Sequence, residues 1–234
     1  MLTDKQWNVE ALLLFFFGVL ICLFVGAFLV VFLGNMLEGD KDHAVWRTVA
    51  ATMSFQGGTL VLTHLFLRRH GMRWSEAFGF ANQWRRALLL GLLVVVLFLP
   101  VGIGLQWASA KLMTGVDLEP IEQPAVQTLR ITQSWFSRAV LAVVTIGLAP
   151  LAEEILFRGV LYPAVKQAGF RRLALWGTSV LFAMIHGNLT VFLPLLVLSV
   201  ALTLLYERTN NLLAPIFAHA LFNGVNFVRL YSAP

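Results

Sequence analysis

The stretch 149-APLAEEILFRGVL-161 reads as one face of an apolar helix, yet it carries Glu153, Glu154 and Arg158. In a soluble protein an EExxxR pattern is an ordinary solvated helix face. Inside a bilayer each of these charges costs about 2.5–3.5 kcal/mol on insertion scales, and such residues mark a functional site. The fold and the function therefore turn on one question: does this stretch cross a membrane?

The rest of the chain answers it. Of 234 residues, 59% are hydrophobic and 12% are charged, about half the charge of a typical soluble domain. The runs 11–33, 48–67 and 87–110 contain no Asp, Glu, Lys or Arg. Each is long enough to cross a hydrocarbon layer of roughly 30 Å at about 1.5 Å per residue. The first run exceeds the apolar region of a signal peptide and no small-x-small cleavage motif follows it, so it is expected to be a retained span. The pattern predicts an all-α, polytopic transmembrane bundle of about seven spans (six to eight). They are placed at 11–33, 46–67, 87–110, 138–165, 172–187, 190–206 and 212–231, the fourth kinked or broken at Pro150. One integral membrane domain is expected to occupy 1–234. The connection 113–137, with Pro120 and Pro124, shows no helical periodicity and is expected to be the longest and most flexible.

The formal charge of +5 would suggest nucleic acid in a soluble protein; here it belongs to the loops that orient the chain, and no nucleic-acid partner is expected. Lys5, Arg68, Arg69, Arg73, Arg85, Arg86, Lys166, Arg171, Arg172 and Arg208 fall on one side of the predicted spans. Lys41, Arg47, Lys111, Arg130, Arg138 and Arg229 fall on the other, together with the acidic run 37–42. The bias places the N-terminus in the cytoplasm and the C-terminus outside a cell membrane. Six of the seven tryptophans lie near predicted span ends, as an interfacial belt would. The single cysteine, Cys22, excludes an intrachain disulfide. No Walker loop, HExxH pair or GxSxG elbow occurs, which removes common ATPases, zincins and serine hydrolases.

Three polar clusters remain inside apolar segments: Glu153, Glu154 and Arg158; His186; and His219 with Asn223. Glu153 lies 16 residues before Gly169 and His186 lies 17 after it, so a hairpin about Gly169 sets both at about 25 Å along their helices. His219 and Asn223 lie roughly 13–20 Å in from the turn at 210–211 by the same rise. Glu154 and Arg158 are four apart and share a helix face, which allows an internal ion pair. Glu153 projects about 100° away and is free to face His186. His219 and Asn223, also four apart, suit hydrogen-bond donation to an oxyanion. Asn188 and Asn226 read as caps or packing groups, and His43, His64 and His70 as residues at span ends.

The ordered set EExxxR, FxxxH (Phe182 to His186) and HxxxN (His219 to Asn223) resembles the CPBP family, the CAAX-type and bacteriocin-processing intramembrane proteases also called Abi proteins. The resemblance covers a core of about 138–227. It implies a helical bundle around a buried polar cavity open to the cytoplasm, and cleavage of a membrane-anchored peptide or protein near that face. Glu153 and His186 would activate water, His219 and Asn223 would stabilise the oxyanion, and Glu154 and Arg158 would support them. The family is commonly labelled metalloprotease. Glu153, His186 and His219 could hold Zn²⁺ with a water in the fourth position, or act without metal through the carboxylate as general base; the pairing of His219 with Asn223 favours the second. A non-catalytic immunity or scaffold protein and a proton-coupled transporter are the competing classes.

Overall fold

A computed structural model describes residues 7–36, 43–120 and 122–232. Lys5, Lys41 and the acidic run 37–42, all used in the charge comparison, lie outside the described residues. Every regular element among those described is helical: α1 (Val9–Met36), α2 (43–69), α3 (Trp74–Phe78), α4 (Trp84–Thr114), α5 (Pro124–Ile131), α6 (Trp135–Gln167), α7 (Arg171–Met184), α8 (Leu189–Thr209) and α9 (Leu213–Ser232). The seven longest coincide with the seven predicted spans. Four of them, α1, α4, α6 and α8, are long and apolar enough to cross a membrane by themselves. Helix α7, with 14 residues, rises only about 21 Å.

The outer wall explains the composition. Along α1, Leu13, Phe17, Phe24 and Phe28 are exposed, which in water would be a serious aggregation surface and in lipid is the solvated face. Inside, α4 packs along both α8 and α9. The α4–α9 approach is close at Gly91, where a β-carbon would stand 2.9 Å from the Ala214 carbonyl oxygen; only a residue without one fits there. Gly104, on the same helix, has open space where its β-carbon would be.

Three expectations change. Helix α6 is not broken at Pro150. It runs continuously from Trp135 to Gln167, with a wide π-helical turn at Val143–Leu148 directly before the proline. The wider turn takes up the backbone that Pro150 can neither bond nor clear of the carbonyl four residues back. The 113–137 connection contains α5, begun by Pro124 at the first helical position, where a missing N–H costs nothing. Its Leu129 is buried with Val45 and Leu141. Trp7 leaves the interfacial belt: it is buried against the rings of Phe66 and His70.

The two ends of the bundle are chemically distinct. Among described residues, nine Lys and Arg of the first group (Arg68, Arg69, Arg73, Arg85, Arg86, Lys166, Arg171, Arg172, Arg208) stand at one end and five (Arg47, Lys111, Arg130, Arg138, Arg229) at the other. The Arg-rich end is tied by Arg69 to Glu10, by Lys166 to Glu207 and by the Asn211 amide to the Phe80 and Asn82 carbonyls. The other end is tied by Thr190 to Met113 and by Arg138 to the Thr132 carbonyl and the Tyr231 ring.

Candidate active site

Glu153 and Glu154 end a short α-helical turn, Ala149–Glu154, set between two π-helical ones, Val143–Leu148 and Ile155–Leu161. Insertions of this kind re-aim side chains within a helix and recur at functional sites. Here the two carboxylates point to different partners.

Glu154 and Arg158 are almost fully buried, at 0% and 1% side-chain exposure, and 2.9 Å apart. The guanidinium is satisfied from α8: Nη2 donates to the Ser199 hydroxyl (2.8 Å) and carbonyl (3.0 Å), and Nε donates to the Thr203 hydroxyl (3.3 Å). Its carbon lies 4.6 Å from the centre of the Phe182 ring, a cation–π contact that is strongest where water is absent. Burial of a lone arginine would be prohibitive; this one has a counter-charge, three neutral acceptors and an aromatic face. Ser199 and Thr203 are absent from the sequence-derived site. Their signal was a pair of hydroxyls four residues apart in an apolar helix.

Glu154 has a second task. The same Oε1 that receives Arg158 also accepts the Nδ1–H of His219 at 2.8 Å. A carboxylate behind an imidazole fixes its tautomer and ring orientation. His186, in the turn that follows α7, is fixed similarly, its Nδ1–H donating to the Phe182 carbonyl at 2.7 Å. Gly187 follows with φ +59, the left-handed conformation that glycine adopts without strain. The Phe182 ring stands edge-on to His219 and tilted against His186, and spaces the two imidazoles.

With both Nδ1 atoms occupied, both Nε2 atoms face Glu153. Its Oε2 lies 4.0 Å from His186 Nε2 and 4.0 Å from His219 Nε2. Neither is a direct hydrogen bond, and at such separations a bridging water is the natural intermediary. The three meet at one end of a cavity of about 430 Å³, whose lining also includes Asn223, Asn226, Phe222, Val191 and Leu195. Asn223 donates through Nδ2 to the Thr145 carbonyl at 2.9 Å, in the π-helical turn of α6; an amide nitrogen has a second N–H to offer. Asn226 bonds the Phe222 carbonyl, and Asn188 caps α8 through the Thr190 and Val191 N–H groups. His64 receives the Trp74 indole N–H, and His70 receives the Asn8 N–H; neither lines the cavity, nor does His43.

The far end of the cavity is lined by Gln106, Pro120, Glu122, Gln123 and Arg229. These belong to the end of the bundle with fewer Lys and Arg.

Residues 134–225 match the family described as type II CAAX prenyl endopeptidase Rce1-like; Glu153, Glu154, Arg158, His186, His219 and Asn223 all lie inside that segment. The UPF0177 protein YaiF of Lactococcus lactis subsp. lactis (strain IL1403) is 29% identical over 147 residues, 62% of this chain and 65% of that protein. The "Uncharacterized protein YpbD" of Bacillus subtilis (strain 168) is 35% identical over 82 residues, 33% of this chain and 39% of that protein. The "Putative membrane peptidase YdiL" of the same organism is 32% identical over 74 residues, 32% of this chain and 30% of that protein. The chain thus covers less than two thirds of these relatives. No solved structure matches. The family match and the peptidase-named relative bear out the resemblance to CPBP-family proteases over this segment, on an all-α membrane fold.

Proposed function

We propose that this protein is an intramembrane endopeptidase in which Glu153 activates water beside two oriented histidines. The observation that carries the reading is the convergence of Glu153 Oε2 on His186 Nε2 and His219 Nε2, each at 4.0 Å, at the inner end of the cavity.

Water seated between Glu153 and His186 donates one hydrogen to each acceptor and presents a lone pair to a peptide carbonyl. As its oxygen bonds to the carbonyl carbon, Glu153 takes a proton, which passes to the leaving amine as the C–N bond breaks. The carbonyl oxygen gains negative charge and meets two donors: His219 Nε2–H, supported from behind by Glu154, and the second N–H of Asn223.

A zinc ion would be held by Glu153, His186 and His219 and would polarise the carbonyl or its own water. Tetrahedral zinc with donors at about 2.0–2.2 Å sets neighbouring donors roughly 3.3–3.6 Å apart. The two Glu153 pairs are wider than that, and among the described residues no three His, Cys, Asp or Glu form a metal-sized group. The metal-free scheme fits these spacings better. Purified protein is therefore expected to keep its activity in a strong chelator; inactivation reversed by one added Zn²⁺ per chain would replace it with the zinc scheme. Asn223→Ala is expected to lower kcat by about 10²–10³, the usual cost of one oxyanion donor, with KM little changed.

The charge bias assigns the Arg-rich end to the cytoplasm, and the far end of the cavity lies at the opposite end. On that orientation we infer a mouth on the outer side of the membrane, against the cytoplasmic opening that the family resemblance implies. A membrane-impermeant thiol reagent on intact cells tests it: with Cys22→Ala as background, Glu122→Cys should be labelled and Arg208→Cys should not. The reverse pattern would restore the cytoplasmic mouth.

The substrate class is a membrane-anchored peptide or protein. Peptidomes of membranes from cells with wild-type protein and with Glu153→Gln should differ in a set of cleaved fragments, and identical peptidomes would end the protease reading.

A further inference from the structure

The Arg-rich end of the bundle holds a second hollow, of about 320 Å³, which shares no lining residue with the cavity at Glu153. Asn82, Gln83 and Arg86 line it from the start of α4, and Arg208, Thr209 and Asn210 from the end of α8. No Asp or Glu is among the described residues that line it. Both arginines are exposed. Arg86 bonds a neutral group, the Gln83 side-chain oxygen, at 3.1 Å. The Arg208 side chain has no hydrogen bond or ion pair among the described residues, and the adjacent Glu207 is held by Lys166 at 2.7 Å.

Helix electrostatics accounts for one of these cations and not the other. Arg208 stands in the last turn of α8, where the negative end of the helix dipole suits it. Arg86 stands in the first turn of α4, where the positive end disfavours it, and that turn has neither an acidic residue nor a side-chain cap. Two guanidiniums brought by different helices to one acid-free hollow repel each other, and an anion between them removes that cost. An excess of arginine at this end orients the chain, but orientation asks only for charge in the loops and not for a walled hollow.

The walls are fixed. Asn211, fully buried, donates through Nδ2 to the Asn82 carbonyl at 2.6 Å and to the Phe80 carbonyl at 3.4 Å. The Leu212 N–H donates to the Phe78 carbonyl at 2.9 Å. These bonds lock the segment before α4 to the turn after α8, so the hollow stands ready for a ligand without further ordering. Along α4, Arg86, Leu89, Leu93 and Leu97 are three or four residues apart and share a face, and the three leucines are exposed. Trp84, also exposed, has the Arg85 guanidinium 5.3 Å from its ring centre and marks the level of the interface. A ligand whose anion enters the hollow and whose apolar part follows this face is a lipid.

We propose that Arg86 and Arg208 bind the phosphate of an anionic phospholipid headgroup, with the acyl chains lying along the exposed leucines of α4. A planar guanidinium matches two phosphate oxygens at once. The hollow selects a net negative headgroup over a zwitterionic one, because no acid lines it to receive an ammonium group.

The test is native mass spectrometry of the full chain in detergent, titrated with phosphatidylglycerol or with phosphatidylcholine of the same acyl chains. Wild type is expected to bind one phosphatidylglycerol about tenfold more tightly, the size of a charge-assisted hydrogen bond at an exposed site. Arg86→Gln with Arg208→Gln should abolish the preference. Arg86→Lys with Arg208→Lys, which keeps the charge and loses the fork, should retain only part of it. Arg171→Gln with Arg172→Gln removes the same charge from the same end outside the hollow and should leave the preference whole. Equal affinities in wild type, or a preference left whole by either double substitution of Arg86 and Arg208, overturns the proposal. So does an equal loss in the Arg171 and Arg172 variant, which would mean diffuse attraction to the whole end. Inorganic phosphate at the lipid concentration should not displace the lipid; displacement would make the hollow a free-anion site and end the lipid assignment.

Discussion

Glu153→Gln is expected to leave a folded protein that binds peptide but turns it over about 10⁴-fold more slowly, the upper range for removal of a general base. The substitution keeps the side chain's size and hydrogen-bonding capacity and removes the proton acceptor. Its structural cost should be small, because Oε2 makes no direct hydrogen bond to either histidine at 4.0 Å and the carboxylate faces a cavity. Thermal unfolding is therefore expected to stay near wild type. The measurement is turnover of a cleaved membrane peptide by purified protein, alongside thermal unfolding of the same sample. Turnover within tenfold of wild type would remove Glu153 from the chemistry and, with it, the water-activation scheme.

Arg158→Ala should do the opposite: the main loss falls on folding. It strips Glu154 Oε1 of one of its two donors and leaves the hydroxyls of Ser199 and Thr203 without the guanidinium they accept from. Breaking one side of a buried ion pair costs about 3–5 kcal/mol, most of it the penalty of a buried charge left alone. Thermal unfolding in detergent reads this directly, with Glu153→Gln as the reference expected to unfold near wild type. Comparable destabilisation by both variants would show that Glu153 is also part of the supporting framework. Activity should fall in Arg158→Ala too, since the same oxygen of Glu154 orients His219. The division between the adjacent glutamates is thus one of degree: Glu153 is spared structural work, whereas Glu154 joins the arginine to the imidazole.

Much of this was readable from the sequence. Membrane residence followed from uncharged runs, because the bilayer demands about 20 apolar residues per crossing and tolerates few exceptions. The exceptions, EExxxR, His186 and HxxxN, were visible for that reason. Helical spacing alone paired Glu154 with Arg158, since residues four apart share a face whatever surrounds them. What periodicity could not supply was any relation between elements distant in the chain. The bond from Glu154 to His219 joins residues 65 apart, and those from Arg158 to Ser199 and Thr203 join residues 41 and 45 apart; no local rule predicts them. The possible break at Pro150 and the loop around Pro124 were not realised, for the same reason. A proline rules out certain backbone bonds, but whether the helix breaks, widens into a π turn or begins there depends on the packing around it. The direction of the cavity was likewise decided in three dimensions. Sequence determined which residues are too costly to bury without purpose, and only tertiary packing decided which of them meet and which residues from the end of the bundle with fewer Lys and Arg line their cavity.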